Sequence, residues 1–249
     1  RSSPPSFPDL PLQYADFALW QRSKHADDLA SGLIAANIAW WRATLADAPE
    51  QLNLPWLSPL RVGGGSIAVV PIRIEPGTVK QLRSLCNSCT AGLLSGLLSV
   101  WAALLLHLCD QMELMFGQPY SMRDSPGLEA VIGCFINFLP VRLMQEAQTD
   151  VFTAIRGAQL GIVEAIAHGD VPIQDIVKSL PRSTSGSMQN GVALYQTMLQ
   201  LIDDPATADL IKGPARDPVE SDLSGLLLRI SLFATAEDAI LGVLNFPSD

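Results

Sequence analysis

Two of the four cysteines, Cys86 and Cys89, stand in a C-x-x-C. That spacing can hold a redox disulfide or supply half of a zinc site. Zinc needs a second ligand pair, and no CxxC, HxxxH or CxxH follows at a suitable distance. A redox pair wants a thioredoxin-like strand just before it, whereas LRSLCNSCT continues a helix-like pattern. Both cysteines are read as small core residues. The histidines His25, His107 and His168 are scattered, and the chain has no G-x-S-x-G elbow and no HExxH. His107 falls in a long apolar run and is read as packed or capping. His25 sits among Lys24, Asp27 and Asp28, a pattern of a solvated helix face. The pairs Asp27/Asp28 and Asp203/Asp204 lie on polar stretches and are read as surface. Gly63-Gly64-Gly65 invites a phosphate-loop reading, which needs a strand before and a helix with Lys-Ser/Thr after. The apolar run Ile67 to Ile74 follows instead. These patterns assign no catalytic residue and no metal ligand.

The bulk properties narrow the classes further. The chain has 249 residues, 48% hydrophobic and 16% charged, enough to bury a substantial core. Its net charge is −9 with no Lys/Arg cluster, which argues against nucleic acid as a partner. Gly92 to Leu108, GLLSGLLSVWAALLLHL, carries no formal charge. It is slightly short for a membrane span, lacks a positive flank and runs directly into Asp110. A fully buried helix in an α/β core is expected there, and no membrane partner. No signal peptide is recognised at the start, so a reducing, cytoplasmic setting is expected.

Positioning elements follow from period and punctuation. Residues 1–12 form a Pro/Ser-rich linker. Tyr14, Phe17 and Gln21 lie at i, i+3 and i+7 in YADFALWQ, with Trp20 beside them, so one face of a helix is expected to dock on a core, with Trp20 mainly in that core. Helix continues to about residue 47, and a Pro- and Gly-rich connection follows to Gly65. SIAVVPIRI reads as a strand whose Pro71 marks an edge or bulge. Pro76 opens a helix, and Thr90 can cap the next. Strands are expected over Glu113–Pro119, Phe135–Met144, Val192–Ile202, Gly225–Phe233 and Ala239–Phe246. Asp150 caps a helix to about Ala167, and a short helix runs from Val171-Pro172 to Leu180. Ser183–Gly191 and Asp203–Ser221 read as polar loops, the second as mobile. Mixed strands with long helices predict an α/β layer, a sheet covered by helices.

Four stretches, in order over about residues 13–235, resemble the condensation domains of nonribosomal peptide synthetases. YADFALWQR is similar to their Tyr-x-Asp-Tyr/Phe-Ala-x-Trp-Gln helix. GQPYSMRDSPGLEAVIGCFINFLPVRL, Gly117 to Leu143, is similar to their Gly-x-Pro…Arg…Ile-Gly-x-Phe-Val-Asn segment. His168-Gly169-Asp170-Val171-Pro172 resembles His-Gln-Asp-x-Pro, and VALYQTMLQL resembles the Asn-Pro-Leu-Phe-Gln strand. Ser221-Asp222-Leu223 is a weaker echo of Phe-Asp-Leu. The resemblance implies a chloramphenicol-acetyltransferase-like α/β sandwich lobe with a mixed sheet covered by helices.

The family's catalytic motif, HHxxxDG, precedes the Tyr14 helix, and no two adjacent histidines occur here. The expectation is therefore that residues 13–249 form the C-terminal lobe, with the first lobe and a closing helix outside this chain, and that the lobe is inactive alone. In the family, two carrier proteins bring phosphopantetheine-bound thioesters to a tunnel between the lobes, and the acceptor amine attacks the donor thioester. Implied partners are the first lobe, carrier domains and a neighbouring adenylation domain, with self-association through the face left bare; no cofactor binds directly. Asn137 matches a residue beside the tunnel, and Ser121 and Arg123 match polar residues just before the segment that reaches across to the other lobe, where Arg123 can pair with an acid or with Asp124 or Glu129; these three are the expected substrate-binding set. Tyr14, Trp20, His168, Asp170, Pro172, Gln196 and Asp222 match structural motif positions, with Asp170 expected to accept backbone N–H groups ahead of Pro172. The segment Asn137-Phe138-Leu139-Pro140 and the strand Ala193-Leu194-Tyr195-Gln196 depart from the usual pattern, which leaves a peptide or a polyketide donor open. A non-catalytic docking module and a CoA-dependent acyltransferase of the same fold remain as alternatives.

Overall fold

The computed structural model describes residues 10–49, 51–55, 67–123, 126–146, 148–180, 194–203 and 226–248. Helices α1 (Tyr14–Ser31) and α2 (Leu33–Thr44) are separated by Gly32, whose φ of 81° suits a residue without Cβ. Strand β1 (Ile67–Ile74), helices α3 (Pro76–Ser88) and α4 (Leu93–Cys109), and strands β2 (Glu113–Ser121) and β3 (Ile136–Met144) follow. Helices α5 (Val151–Ala167) and α6 (Ile173–Ser179) then lead to β4 (Thr197–Ile202), β5 (Leu228–Ala234) and β6 (Ile240–Pro247).

The six strands form one sheet in the order β1-β6-β5-β4-β2-β3. β4 runs parallel to β2 and β5, and the other joints are antiparallel. The sheet is mixed, as the pattern of elements predicts. Pro71 sits on edge strand β1, where a missing N–H costs no ladder bond on the open side.

Helices α4 and α5 pack together over one face of this sheet. Trp101 Nε1 of α4 donates to Thr197 Oγ1 at 3.1 Å, which fixes the face that β4 turns to the helices. Gly161 of α5 lies against Val141 and Leu143: an added Cβ would stand 3.2 Å from Val141 Cγ1. Between the layers Leu98, Ala102, Leu105, Phe116, Leu139, Val141, Leu199 and Ile240 are buried. Each large aliphatic side chain there contributes about 1.5–3 kcal/mol by leaving water.

Two local expectations change. α4 is not buried all round: Leu98, Ala102 and Leu105 are interior, whereas Val100, Leu104 and His107 face outward. One stripe suffices to fill the core, and the opposite stripe is exposed. Thr90 does not cap α4. It takes a left-handed φ of 57°, and Gly92 is the cap residue. Gln159 of α5 ties down this start: its Oε1 accepts from the N–H of the cap residue Gly92 at 2.9 Å and from the Ser95 hydroxyl at 2.8 Å. Asp150 does cap α5, accepting from Phe152 N and Thr153 N.

Cys86 and Cys89 are buried free thiols, and burial pushes the Cys86 thiol up. Among the described residues no single helix is long and apolar enough to cross a membrane; α3 and α4 pass that test only as a pair bent by 102°. The loops Ser183–Gly191 and Asp204–Ser221, and Gly63–Gly65, lie outside the described residues.

Candidate functional site

α1 docks on the connection between β2 and β3. Its start is closed by a capping box, in which Asp16 Oδ2 accepts from Gln13 N at 2.8 Å. Tyr14 donates its hydroxyl to the Cys134 carbonyl at 3.0 Å. Phe17 is buried against Phe135, ring centroids 4.5 Å apart, and Gln21 Nε2 reaches Met122 Sδ at 3.6 Å. Tyr14, Phe17 and Gln21 thus share the docking face. Trp20 does not join the core: it touches Phe17 at 5.8 Å but is 52% exposed. It lies 60° beyond Phe17 around the helix, past the edge of the packed stripe.

Arg123 closes the same connection from beneath. Its guanidinium lies 4.0 Å over the Phe135 ring and donates to the carbonyls of Leu128 and, at 2.9 Å, Val131. Ser121 ends β2 opposite Ile136 and is exposed.

Asn137 is the most heavily bonded of the expected site residues. Nδ2 donates to the carbonyls of Gly169 at 2.9 Å and Val171 at 3.0 Å. Oδ1 accepts from Phe138 N at 3.0 Å and Ile173 N at 3.4 Å. Both donors and two acceptor sites of the amide are spent on backbone of its own chain. The sequence reading offered that amide to substrate; the geometry instead makes it the pin between β3 and the loop from α5 to α6.

The loop is held from its other side as well. His168 stacks on Trp40 with centroids 4.0 Å apart, its Nδ1 lies 2.8 Å from Asn37 Oδ1, and its carbonyl accepts from Trp41 Nε1 at 3.0 Å. Asp170 does not accept the backbone N–H groups ahead of α6. The Ile173 N–H goes to Asn137, and Asp170 pairs with Lys24 Nζ at 2.9 Å. Lys24 also pairs with Asp28 at 2.7 Å, and the hydrogen bonds to Asp28 and then Asp170 raise its pKa. Pro172 is the N-cap residue of α6, where an extended ψ and no N–H suit it.

Gln196, before β4, accepts from Leu52 N through Oε1 at 2.5 Å, and its carbonyl accepts from Leu227 N and Leu228 N at 2.7 and 3.1 Å. Asp222 lies outside the described residues. The structure therefore brings Tyr14 and Arg123 to one cluster and Asn137, His168, Asp170 and Pro172 to a second, with Gln196 apart. Arg142 went unassigned from sequence. It pairs with Glu113 at 2.6 Å and donates to the carbonyls of Thr44 and Ala46 at 3.1 and 2.8 Å, so it ties β3 and β2 to the end of α2. A lone arginine in an apolar strand was the signal available. Among the described residues no three of His, Cys, Asp and Glu come together as a metal site.

The sequence and fold match known proteins. The condensation domain family model matches residues 3–212, and the chain belongs to that family. Malpibaldin synthetase of Mortierella alpina is 32% identical over 171 residues, which is 68% of this chain and 3% of that protein. The X-domain from teicoplanin biosynthesis superposes with a TM-score of 0.80 at 25% identity, covering 98% of this chain and 56% of that one. The X-domain in its complex with OxyB gives 0.78 at 26%, covering 98% and 55%. The chain thus spans a few per cent of the curated relative and just over half of the solved domains. Its mixed six-stranded sheet with helices is the condensation-domain fold.

Proposed function

We propose that this chain is the second lobe of a condensation domain, which joins a carrier-bound acyl or peptidyl thioester to a carrier-bound amino acid. One observation carries the reading: the likeness covers 98% of this chain but only 56% of the solved domain. The absence of adjacent histidines from its sequence supports it. In this reading the first lobe supplies HHxxxDG, whose histidine positions or deprotonates the attacking amine. The phosphopantetheine arms belong to the carriers, and an adenylation domain loads the acceptor. A tunnel between the lobes keeps water from the thioester.

The residues of this lobe do positioning work. Arg123 holds the connection that carries Phe135, and Asn137 holds the loop at His168. Ser121, exposed at the end of β2, is the polar side chain of the three left to meet substrate. Docking is the second reading, favoured by the X-domain likeness, since that relative was solved with OxyB bound.

The test is to incubate the chain with loaded donor and acceptor carriers, alone and with a first lobe that carries HHxxxDG, and to follow the carriers by mass spectrometry. Dipeptidyl-carrier is expected only with the first lobe. Product from the chain alone overturns the lobe reading. No product from the assembled pair, together with binding of an oxygenase, selects docking.

A further inference from the structure

On the sheet face turned away from α4 and α5, three buried polar atoms have no partner. Thr197 faces the helices through its bond to Trp101, so Met198 faces the opposite side. Leu228 pairs with Thr197 and Arg229 with Met198, which puts Arg229 on the face turned away from the helices, and Asn245 is the register partner of Arg229. Arg229 Nε, Asn245 Oδ1 and Gln196 Nε2 are buried without a hydrogen bond. Asn245 is 2% exposed and Gln196, two residues before Met198, 3%. The fourth such atom, Arg83 Nε, differs in kind, because its guanidinium already pairs with Asp203 through both other nitrogens. Two residues along each strand, Gln200 and Ser231 are register partners on the same side.

The chemistry of the three atoms converges. Arg73, Arg83 and Arg142 each meet a carboxylate, and among the described residues Arg229 meets none. Burial pushes the Arg229 guanidinium down, yet arginine keeps its proton in proteins, so the charge stays and calls for an anion. The Asn245 amide reads equally well with its O and N exchanged, which turns the orphan position into a donor. The Gln196 amide is fixed by its bond from Leu52, which leaves Nε2 as the donor. One guanidinium and two amide donors suit a singly charged, planar oxyanion.

We propose that Arg229, with Asn245 and Gln196 beside it, binds the carboxylate of a small ligand on the sheet face turned away from α4 and α5. This goes beyond the condensation reading, because a thioester and an amine carry no free carboxylate.

The experiment adds sodium acetate, acetamide or sodium chloride at matched ionic strength to the 249-residue chain. Two signals are followed: the thermal midpoint and the Arg229 Nε–H resonance, assigned through its own backbone. Acetate is expected to raise the midpoint saturably, as a ligand of the native state does, and to move that resonance. Arg229→Gln should abolish the midpoint effect, and Asn245→Leu should weaken acetate at least about tenfold, the scale of a lost charge-assisted hydrogen bond. The resonance needs no variant, so a misfolded Arg229→Gln leaves the test intact. An unmoved resonance overturns the proposal. So does acetamide acting as strongly as acetate, or an acetate effect that survives in folded Arg229→Gln.

Discussion

Asn137 Nδ2 lies 2.9 Å from the carbonyl of Gly169, across 32 residues of chain. The bond joins an edge strand to the loop after α5, and the neighbouring bond to Val171 doubles it. Removing the amide strands two buried carbonyls. Asn137→Ala should destabilise the chain by about 1–3 kcal/mol, or ~2–4 °C in Tm for each kcal/mol. Thermal unfolding measures this. The sequence reading instead places Asn137 in the substrate-binding set. An unchanged Tm would return the residue to the tunnel.

That reversal shows where the sequence was legible. Strand and helix periods located the strands and most helices, because alternation and 3.6-residue stripes are local, but the break between α1 and α2 at Gly32 was not read. Asp150 and Pro76 announced their helix starts for the same reason. What stayed hidden is non-local. Lys24 and Asp170 are 146 residues apart, and no pattern near either names the other. Asp170 looked like a cap because a carboxylate before proline often is one, yet the strand residue Asn137 took that place. Trp20 looked interior because aromatic residues usually are. Its exposure depends on how wide a stripe α1 buries, which its partner surface decides. The two expected site clusters followed from the family resemblance, whereas the Arg229 cluster needs the register of three strands.

Gly117 and Tyr195 form a second non-local pair that makes a test. A Cβ at Gly117 would stand 2.2 Å from the Tyr195 ring, whose burial pushes its hydroxyl up to about 12. Gly117→Ala should cost about 1–3 kcal/mol by overpacking. Tyr195→Ala opens the space, so the double variant should lose less than the sum of the singles. Chemical denaturation of the four proteins supplies the cycle, and strict additivity would disprove the contact.

Asp150 should make stability depend on acid pH. Its hydrogen bonds from Thr153, side chain first and then backbone, hold its carboxyl below the ordinary value of 3.8. A depressed native pKa adds stability that is full above 3.8 and is lost as pH falls through the lower native value. Asp150→Asn keeps a cap without the titration. The stability advantage of the native chain over this variant should therefore shrink on acidification from pH ~5 to ~3. An advantage that is flat across that range would contradict the assignment.

Trp20 closes the argument about the bare surface. It is 52% exposed, Leu19 beside it 66%, and Ile132, next to the glycine that receives Tyr14, 91%. An exposed aromatic that contributes little to the core has little folding energy to lose, so Trp20→Ser should leave stability within about 0.5 kcal/mol. If the first lobe or a second copy covers this surface, the same change removes apolar area that association would bury. Sedimentation at several concentrations should then show the wild-type chain self-associating and the variant shifted toward monomer, with unfolding midpoints matched. A large loss of stability would mean that Trp20 packs as the sequence first implied. Identical sedimentation of the two proteins would mean that the surface is not where partners meet.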